Sequence, residues 1–389
     1  MNADRNLITI TSRPDPVFVE GQGSWLVDED GKRYLDLVQG WAVNSLGHSP
    51  ALIAEALQAQ AARLLNPGPA YYNRPMLDLA ARLTELSCFD RVFLCSSGAE
   101  ANEGAVKLAR RWGSKRRGGA HEVVSFEHSF HGRTMAMMSA SGKPGWSEIY
   151  PPMPAGFSKK ARLNDIGSVE RAIGPDTAAV MIELVQGEAG VNIADPGFVR
   201  ELSALTTERQ VLLIADEVQT GIGRCGHAFA HELYDVEPDV MTLAKGIGGG
   251  VPLAALLCKE RFNCFEPGDQ GGTYCGNPLM AAVGLAVVNE VCRDGFLATV
   301  RQRAQRLAEG MQSLVREHGL IGERGVGLLR ALVLPDDRAA QVVEAARGLE
   351  PTGLLLNAPR PNLLRLMPAL TISEAEIDEA LRLLDLALR

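Results

Sequence analysis

Two apolar runs in the sequence end in charged residues that can do chemistry. Five apolar residues, 211–215, lead directly into Asp216, and the largely apolar run 240–244 leads into Lys245 and a glycine-rich turn. A carboxylate at the end of a buried strand is costly unless a cation or several hydrogen-bond donors meet it. An amine held near apolar surface can lose its proton and act as a nucleophile on a carbonyl carbon. We therefore take Asp216 and Lys245 as candidate catalytic residues.

Each of these residues also has a simpler interpretation. A lysine that precedes glycines is more often an exposed loop residue. Asp216 can be an edge carboxylate, or the metal-binding aspartate of a nucleotide-binding protein. The metal interpretation requires a Gly-x-x-x-x-Gly-Lys-Ser/Thr loop, which the sequence lacks. We predict no metal site.

A third segment, Ser96–Glu103, predicts a helix that begins directly after a strand. Ser97 and Glu100 have the spacing of a capping box, and Gly98 follows the capping serine. The start of a helix offers free backbone N–H groups and a partial positive charge, both of which suit a phosphate group. Taken alone, the segment is better explained as a plain capped helix.

The three segments together indicate one site. They supply a phosphate seat, a nucleophilic lysine and a carboxylate that can pair with a protonated ring nitrogen. Pyridoxal 5'-phosphate requires this combination, because a lysine Schiff base and an acidic partner at the pyridinium keep the ring an electron sink. We expect Lys245 to carry the aldehyde of this cofactor as a Schiff base.

The elements that position these residues alternate between strand and helix. The alternation predicts an α/β fold with a mostly parallel sheet and with ligands at the carboxyl ends of its strands. The 389 residues exceed what one ordinary hydrophobic core can organise, so we expect two domains. We predict a large cofactor-binding domain (46–276) and a smaller α+β domain (277–389). The N-terminal segment (1–45), with a hairpin around Asp30 and Gly31, is expected to pack with the smaller domain.

From about Gly23 to the C-terminus, the chain resembles the class III aminotransferases among the fold-type I pyridoxal-phosphate enzymes. Several motifs in the same order carry the resemblance. They are Ser97–Glu103, Phe130–Thr134, Gln186–Val191, Asp216–Gly221, Lys245–Gly246 and Gly272–Pro278.

The resemblance implies a role for each residue around the cofactor. Those residues are Gly98 and Ala99 for the phosphate, Phe130 and Val218 for the two faces of the ring, Asp216 for the pyridine nitrogen and Gln219 for the phenolic oxygen. Thr273 would reach the phosphate of a neighbouring subunit, which implies a homodimer with shared active sites. An aromatic face suits a planar ring, and a hydroxyl suits phosphate oxygens.

Two arginines are expected to select the substrates. A guanidinium matches a carboxylate with two parallel hydrogen bonds, so a pair of arginines fits a dicarboxylate such as 2-oxoglutarate. The resemblance implies that Arg365 holds the α-carboxylate and Arg133 the distal one. When an ω-amino substrate binds instead, Glu188 is expected to neutralise Arg365.

Within the class, the chain is similar to the acetylornithine aminotransferase subfamily. This similarity implies transfer of the δ-amino group of N-acetylornithine to 2-oxoglutarate, in arginine biosynthesis. Trp41 and Gly272 depart from the subfamily pattern and are expected to shape the substrate pocket. The alternative amino donors are succinylornithine, ornithine, 4-aminobutyrate and N-succinyldiaminopimelate. Class III decarboxylases and aminomutases keep the same cofactor, but the set of Arg133, Arg365 and Glu188 favours transamination.

Composition restricts the other classes of function. A net charge of −8 disfavours nucleic-acid and anionic-membrane partners, and the seven scattered cysteines suit a reducing compartment. We expect a cytoplasmic protein with small-molecule substrates. The glycines after Lys245 also suggest a nucleotide-dependent dehydrogenase, but a Gly-x-Gly-x-x-Gly motif at the first βα turn is missing.

Overall fold

A computed structural model describes residues 6–389, and its strands form three larger sheets and one two-stranded ribbon. The strands are β1 (Phe18–Gln22), β2 (Trp25–Asp28), β3 (Arg33–Asp36), β4 (Arg91–Cys95), β5 (Glu122–Phe126), β6 (Lys160–Ala161), β7 (Thr177–Ile182), β8 (Val185–Gln186), β9 (Asn192–Ile193), β10 (Leu212–Asp216), β11 (Val240–Leu243), β12 (Ala254–Cys258), β13 (Gly322–Val326), β14 (Leu329–Val333), β15 (Thr352–Leu355), β16 (Asn357–Arg360) and β17 (Leu363–Leu366).

Helices of very different length lie between the strands. They are α1 (Gln39–Ala42), α2 (Ala51–Ala61), α3 (Arg74–Glu85), α4 (Gly98–Arg116), α5 (Met135–Ala140), α6 (Trp146–Ile149), α7 (Ile166–Ala172), α8 (Pro196–Glu208), α9 (Pro278–Val291), α10 (Phe296–His318), α11 (Ala339–Gly348) and α12 (Glu374–Leu388). Within residues 6–389, no helix is both long and apolar enough to cross a membrane.

The central sheet has seven strands in the order β4-β12-β11-β10-β7-β5-β6. Strands β11, β10, β7, β5 and β6 run parallel, whereas β12 runs antiparallel to both of its neighbours. The residues of β7, β10 and β12 are buried throughout, as expected when helices cover both faces of a sheet. The predicted α/β fold with a mostly parallel sheet is confirmed.

Because β12 is antiparallel, its first residues lie at the same edge of the sheet as the last residues of β4 and β11. The register pairs Ala254 with Cys95 and Ala255 with Leu243. The chain after Lys245 therefore returns along this edge and meets the end of β4.

A second sheet joins the two ends of the chain. Strands β2 and β3 form the predicted hairpin, and β3 pairs in parallel with β15, with Tyr34 opposite Gly353. A third sheet, in the order β13-β14-β17-β16, carries Arg365 in β17. The domain boundaries at residues 45 and 276 stay a prediction.

Candidate active site

A cavity of about 370 Å³ opens at the carboxyl edge of the central sheet. Eight of the residues expected at the site line it: Gly98, Ala99, Phe130, Glu188, Asp216, Val218, Gln219 and Lys245. They come from the start of α4, from the ends of β10 and β11 and the residues just beyond them, and from the segments that follow β5 and β8. The parallel strands thus bring together residues that are far apart in the sequence.

Asp216 is the last residue of β10 and is 3% exposed. Its Oδ2 accepts a hydrogen bond from Asn102 Nδ2 at 2.8 Å and lies 2.7 Å from His131 Nδ1, while Oδ1 accepts from the backbone N–H of Val218 at 3.0 Å. Because a carboxylate is an acceptor only, Nδ1 is the protonated nitrogen of His131. Three donors thus compensate the burial of this carboxylate.

The side chains around Asp216 are themselves held in place. Asn102 also donates to the backbone oxygen of His131 at 2.8 Å and accepts from the Thr242 hydroxyl at 2.7 Å. Asn102 and Thr242 are buried, on α4 and β11 respectively. Three elements of the fold therefore fix the orientation of a single carboxylate.

Lys245 is separated from β11 by Ala244 alone and adopts a left-handed backbone with φ of 47°. Such a φ is uncommon outside glycine, and here it turns the chain into a single turn of 3₁₀ helix, Lys245–Ile247. Burial lowers the pKa of the Lys245 amine, and the positive charge of Arg365 adds to this effect, although the carboxylates of Glu188 and Asp216 oppose it. A lysine with a lowered pKa is suited to nucleophilic attack and to proton transfer.

The start of α4 has half of the predicted capping box. The Ser97 side chain accepts from the backbone N–H of Glu100, but the Glu100 carboxylate accepts from the backbone N–H of Ser96 at 3.1 Å and not from that of Ser97. Gly98 lies so close to Val218 that an added Cβ would be 2.9 Å from Val218 Cγ1. A larger residue at position 98 would therefore displace a wall of the cavity.

Two further lining residues, Phe130 and Gln219, offer groups for a planar ligand. The Phe130 ring meets Trp146 edge-on, with centroids 5.6 Å apart. The Nε2 of Gln219 is buried and finds no hydrogen-bond partner among residues 6–389. A buried donor without a partner is costly unless a ligand supplies an acceptor.

Arg365 lies just beyond the cavity and is 1% exposed. Its Nη2 donates to Glu188 Oε1 at 2.7 Å and its Nε to Asn357 at 3.0 Å, and its Nη1 is 3.5 Å from Gln219 Oε1. Burial favours the neutral acid of Glu188, but the charge and hydrogen bond of Arg365 outweigh it and lower the pKa of that carboxyl. The pair connects the third sheet to the cavity that Lys245 lines.

Trp41 lies over the Arg365 guanidinium, with its ring centroid 5.8 Å from the central carbon. It belongs to a run of four left-handed residues, 39–42, and half of its surface is exposed.

Arg133 is also exposed, with its guanidinium 5.9 Å from the Phe130 ring centroid and 5.5 Å from that of Trp146.

Gly272 and Thr273 are exposed and do not line this chain's cavity. The fold places them in the segment between β12 and α9. All the other residues expected at the site lie in the cavity or at its edge, but within a single chain Gly272 and Thr273 do not.

The structure adds three polar residues that the sequence interpretation gave no role. Asn102 and His131 contact Asp216, and Glu183 lines the cavity at the end of β7. Glu183 carried the same signal as Asp216, since both follow a buried apolar run. Asn102 is four residues after Gly98 on α4, a spacing that places both on one helix face.

Comparisons with known proteins agree with this geometry. The family described as aminotransferase class-III matches residues 11–388. The chain belongs to the class-III aminotransferase family. Among curated relatives, the acetylornithine aminotransferase of Ralstonia nicotianae is 58% identical over 98% of this chain and 96% of its own.

Solved structures of class-III aminotransferases are also similar. The N-acetylornithine aminotransferase of Stenotrophomonas maltophilia has a TM-score of 0.84 and 35% identity over 96% of each chain. An ornithine aminotransferase of Toxoplasma gondii, described with partial occupancy of pyridoxal phosphate at its active site, has a TM-score of 0.91 and 30% identity, covering 99% of this chain and 92% of its own.

Class-III aminotransferases use pyridoxal 5'-phosphate, and the residues present fit this cofactor. The helix start at Gly98 suits its phosphate, and Gln219 Nε2, which has no partner among residues 6–389, suits its phenolic oxygen. Asp216, with its fixed carboxylate, suits a protonated ring nitrogen. The predicted cofactor is confirmed.

Proposed function

We propose that this class-III aminotransferase transfers the δ-amino group of N-acetylornithine to 2-oxoglutarate. The products are N-acetylglutamate 5-semialdehyde and glutamate, within arginine biosynthesis. The 58% identity to acetylornithine aminotransferase over nearly the whole chain carries the choice of amino donor. The geometry supports the chemistry, because the cavity joins a lysine of lowered pKa to an arginine with a displaceable carboxylate partner.

The proposed binding residues surround the cofactor on all sides. The backbone N–H groups of Gly98 and Ala99 would hold the phosphate, Phe130 and Val218 would cover the two faces of the ring, Asp216 would pair with the ring nitrogen and Gln219 would donate to the phenolic oxygen. When bound, pyridoxal phosphate supplies an electron sink that stabilises negative charge on the substrate carbon.

Lys245 is proposed to hold the cofactor and, once displaced by the substrate amine, to move the proton. Its Nζ would take the proton from the substrate carbon that bears the amino group and would deliver it to the aldehyde carbon of the cofactor. The lowered pKa of the amine favours its neutral form, which is the form that accepts a proton.

The pair of Arg365 and Glu188 would let one site accept both substrates. With N-acetylornithine bound, Glu188 would stay on Arg365, and Arg133 would take the carboxylate of the substrate. With 2-oxoglutarate bound, Glu188 would release Arg365 to the α-carboxylate, and Arg133 would hold the distal carboxylate. Trp41 and Gly272 would shape the pocket for the amino donor.

A homodimer is part of the proposal. Thr273 is exposed on this chain and would complete the phosphate site of the neighbouring subunit. Its exposure supports a role outside its own cavity, since a threonine that served its own site would line that cavity.

The test measures glutamate formed from 2-oxoglutarate with a panel of amino donors at equal concentration. N-acetylornithine should give the highest kcat/KM, above succinylornithine, ornithine, 4-aminobutyrate and N-succinyldiaminopimelate. A higher value for any other donor would replace the assignment. Glutamate formation from none of them would contradict transamination of this substrate class altogether.

A further inference from the structure

Two carboxylates occupy neighbouring strand ends in the same cavity. Glu183 follows β7 and Asp216 ends β10, and these two strands are hydrogen-bonded neighbours in the sheet. Both residues line the cavity and are buried, with 8% and 3% of their surface exposed. Two negative charges on neighbouring strand ends are costly in a buried site, so the two carboxyl groups are expected to differ in protonation.

Their hydrogen-bond partners differ sharply. Asp216 meets Asn102, His131 and a backbone N–H. In the described part of the chain, Glu183 accepts a single hydrogen bond, from the backbone N–H of Phe130 to Oε2 at 2.8 Å. One neutral donor does not compensate the burial of a full charge.

The charged groups around Glu183 do not stabilise its ionised form. Asp216 and Glu188 add negative charge, and the lysine at the site, Lys245, faces both of them as well. Arg365 is engaged by Glu188, and His131 is turned to Asp216. Burial and the charge of Asp216 raise the pKa of Glu183 well above its ordinary value.

We propose that Glu183 is a neutral carboxylic acid in the native protein and that Asp216 alone of the two carries the negative charge. The proton of Glu183 resides on Oε1, because Oε2 accepts the Phe130 N–H. Glu183 is then a positioning residue: it holds the backbone of Phe130 and keeps a second negative charge away from the ring site. This positioning role rests on the proposed function, whereas the protonation state rests on the geometry alone.

The first test uses the cofactor-free protein and compares its thermal midpoint with that of Glu183→Gln between pH 5 and pH 7. A group whose pKa is raised on folding destabilises the native state as pH rises above its unfolded value, because only the unfolded chain releases the proton. The thermal midpoint of the variant minus that of the native protein should therefore increase by about 2 °C for each unit of increasing pH. The exposed Glu148→Gln is the matched control and should show no such trend. A difference independent of pH would overturn the proposal.

The second test detects the proton and its consequence separately. Infrared spectra of the cofactor-free protein should contain a protonated-carboxyl band at neutral pH that Glu183→Gln lacks; a band unchanged by the substitution contradicts the neutral acid. Cofactor affinity should fall further in Glu183→Leu, which cannot accept the Phe130 N–H, than in Glu183→Gln, which can. Equal losses would refute the positioning role. Because neither readout needs turnover, a wrong amino donor would leave both results intact.

Discussion

The floor of the cavity and its rim are built in different ways. The floor, formed by Gly98, Asp216 and Lys245, lies at strand and helix ends inside the fold, where Asn102 holds Asp216 and Ser97 caps the start of α4. The rim, formed by Trp41 and Arg133, is exposed, and the exposed Gly272 and Thr273 would join the rim of the neighbouring subunit's cavity in the proposed dimer. Residues on rigid elements keep one geometry, whereas exposed ones can adapt to a ligand or to a second chain. The floor therefore suits the chemistry common to the family, and the rim suits the choice of substrate.

The sharpest test of the floor is Lys245→Ala. Turnover should fall by about 10⁴-fold or more, because the proton transfer loses its base, while the protein still binds cofactor through the helix start and Asp216. Glutamate formation and cofactor content measure the two effects. The matched control is Lys259→Ala, which removes a lysine paired with Glu237. A loss of only tenfold, on the order of one hydrogen bond, would contradict the proposed role of Lys245.

The two arginines test the connection between floor and rim. Arg365→Lys keeps the charge but loses the two-pronged geometry, and it should slow the 2-oxoglutarate half-reaction by about 100-fold. The N-acetylornithine half-reaction should change much less, because Glu188 covers Arg365 in that half.

Arg133→Ala should slow both half-reactions, since Arg133 is proposed to hold a carboxylate in each. Single-turnover rates of the separate half-reactions distinguish the two variants, and the exposed Arg316→Ala is the control. If Arg365→Lys slows both half-reactions equally, the proposed movement of Glu188 on and off Arg365 is contradicted.

Thr273 tests whether the rim includes a second chain. Thr273→Ala should weaken cofactor affinity by about tenfold, the effect of losing one hydrogen bond to a charged group. Mixed dimers of the Thr273→Ala and Lys245→Ala chains then contain one native site, which should recover high-affinity turnover at limiting cofactor. If the mixed dimers do not recover turnover at limiting cofactor, Thr273 contacts the cofactor of its own chain or contacts no cofactor.

Much of the floor was predictable from the sequence because its signals are local. Apolar runs that end in Asp216 and Lys245 indicate strand ends, and Ser97 with Glu100 indicates the start of α4. The parallel sheet then requires these ends to meet at one edge. The roles of the individual residues stay predictions until the variants are measured.

Other features depend on contacts that no local pattern encodes. Asn102 contacts the Asp216 carboxylate, which is 114 positions away in the sequence. The one sequence signal for this contact is that Asn102 is a polar residue on an otherwise apolar helix face. The left-handed run that sets Trp41 over Arg365 includes three non-glycine residues, which no propensity favours. The position of Thr273 has meaning only with a second subunit, and a single sequence gives no geometry between subunits.

The parallel pairing of β3 with β15 has a consequence for the order of synthesis. The hairpin of β2 and β3 is made before every strand of the central sheet, but the strand that completes its own sheet, Thr352–Leu355, is made after all of them. Until then one edge of β3 is unpaired, and such an edge invites pairing with another chain. The strands of the central sheet all precede Thr352–Leu355, so that sheet can assemble before the N-terminal sheet closes. Nascent chains halted before residue 352 should therefore depend most on chaperones.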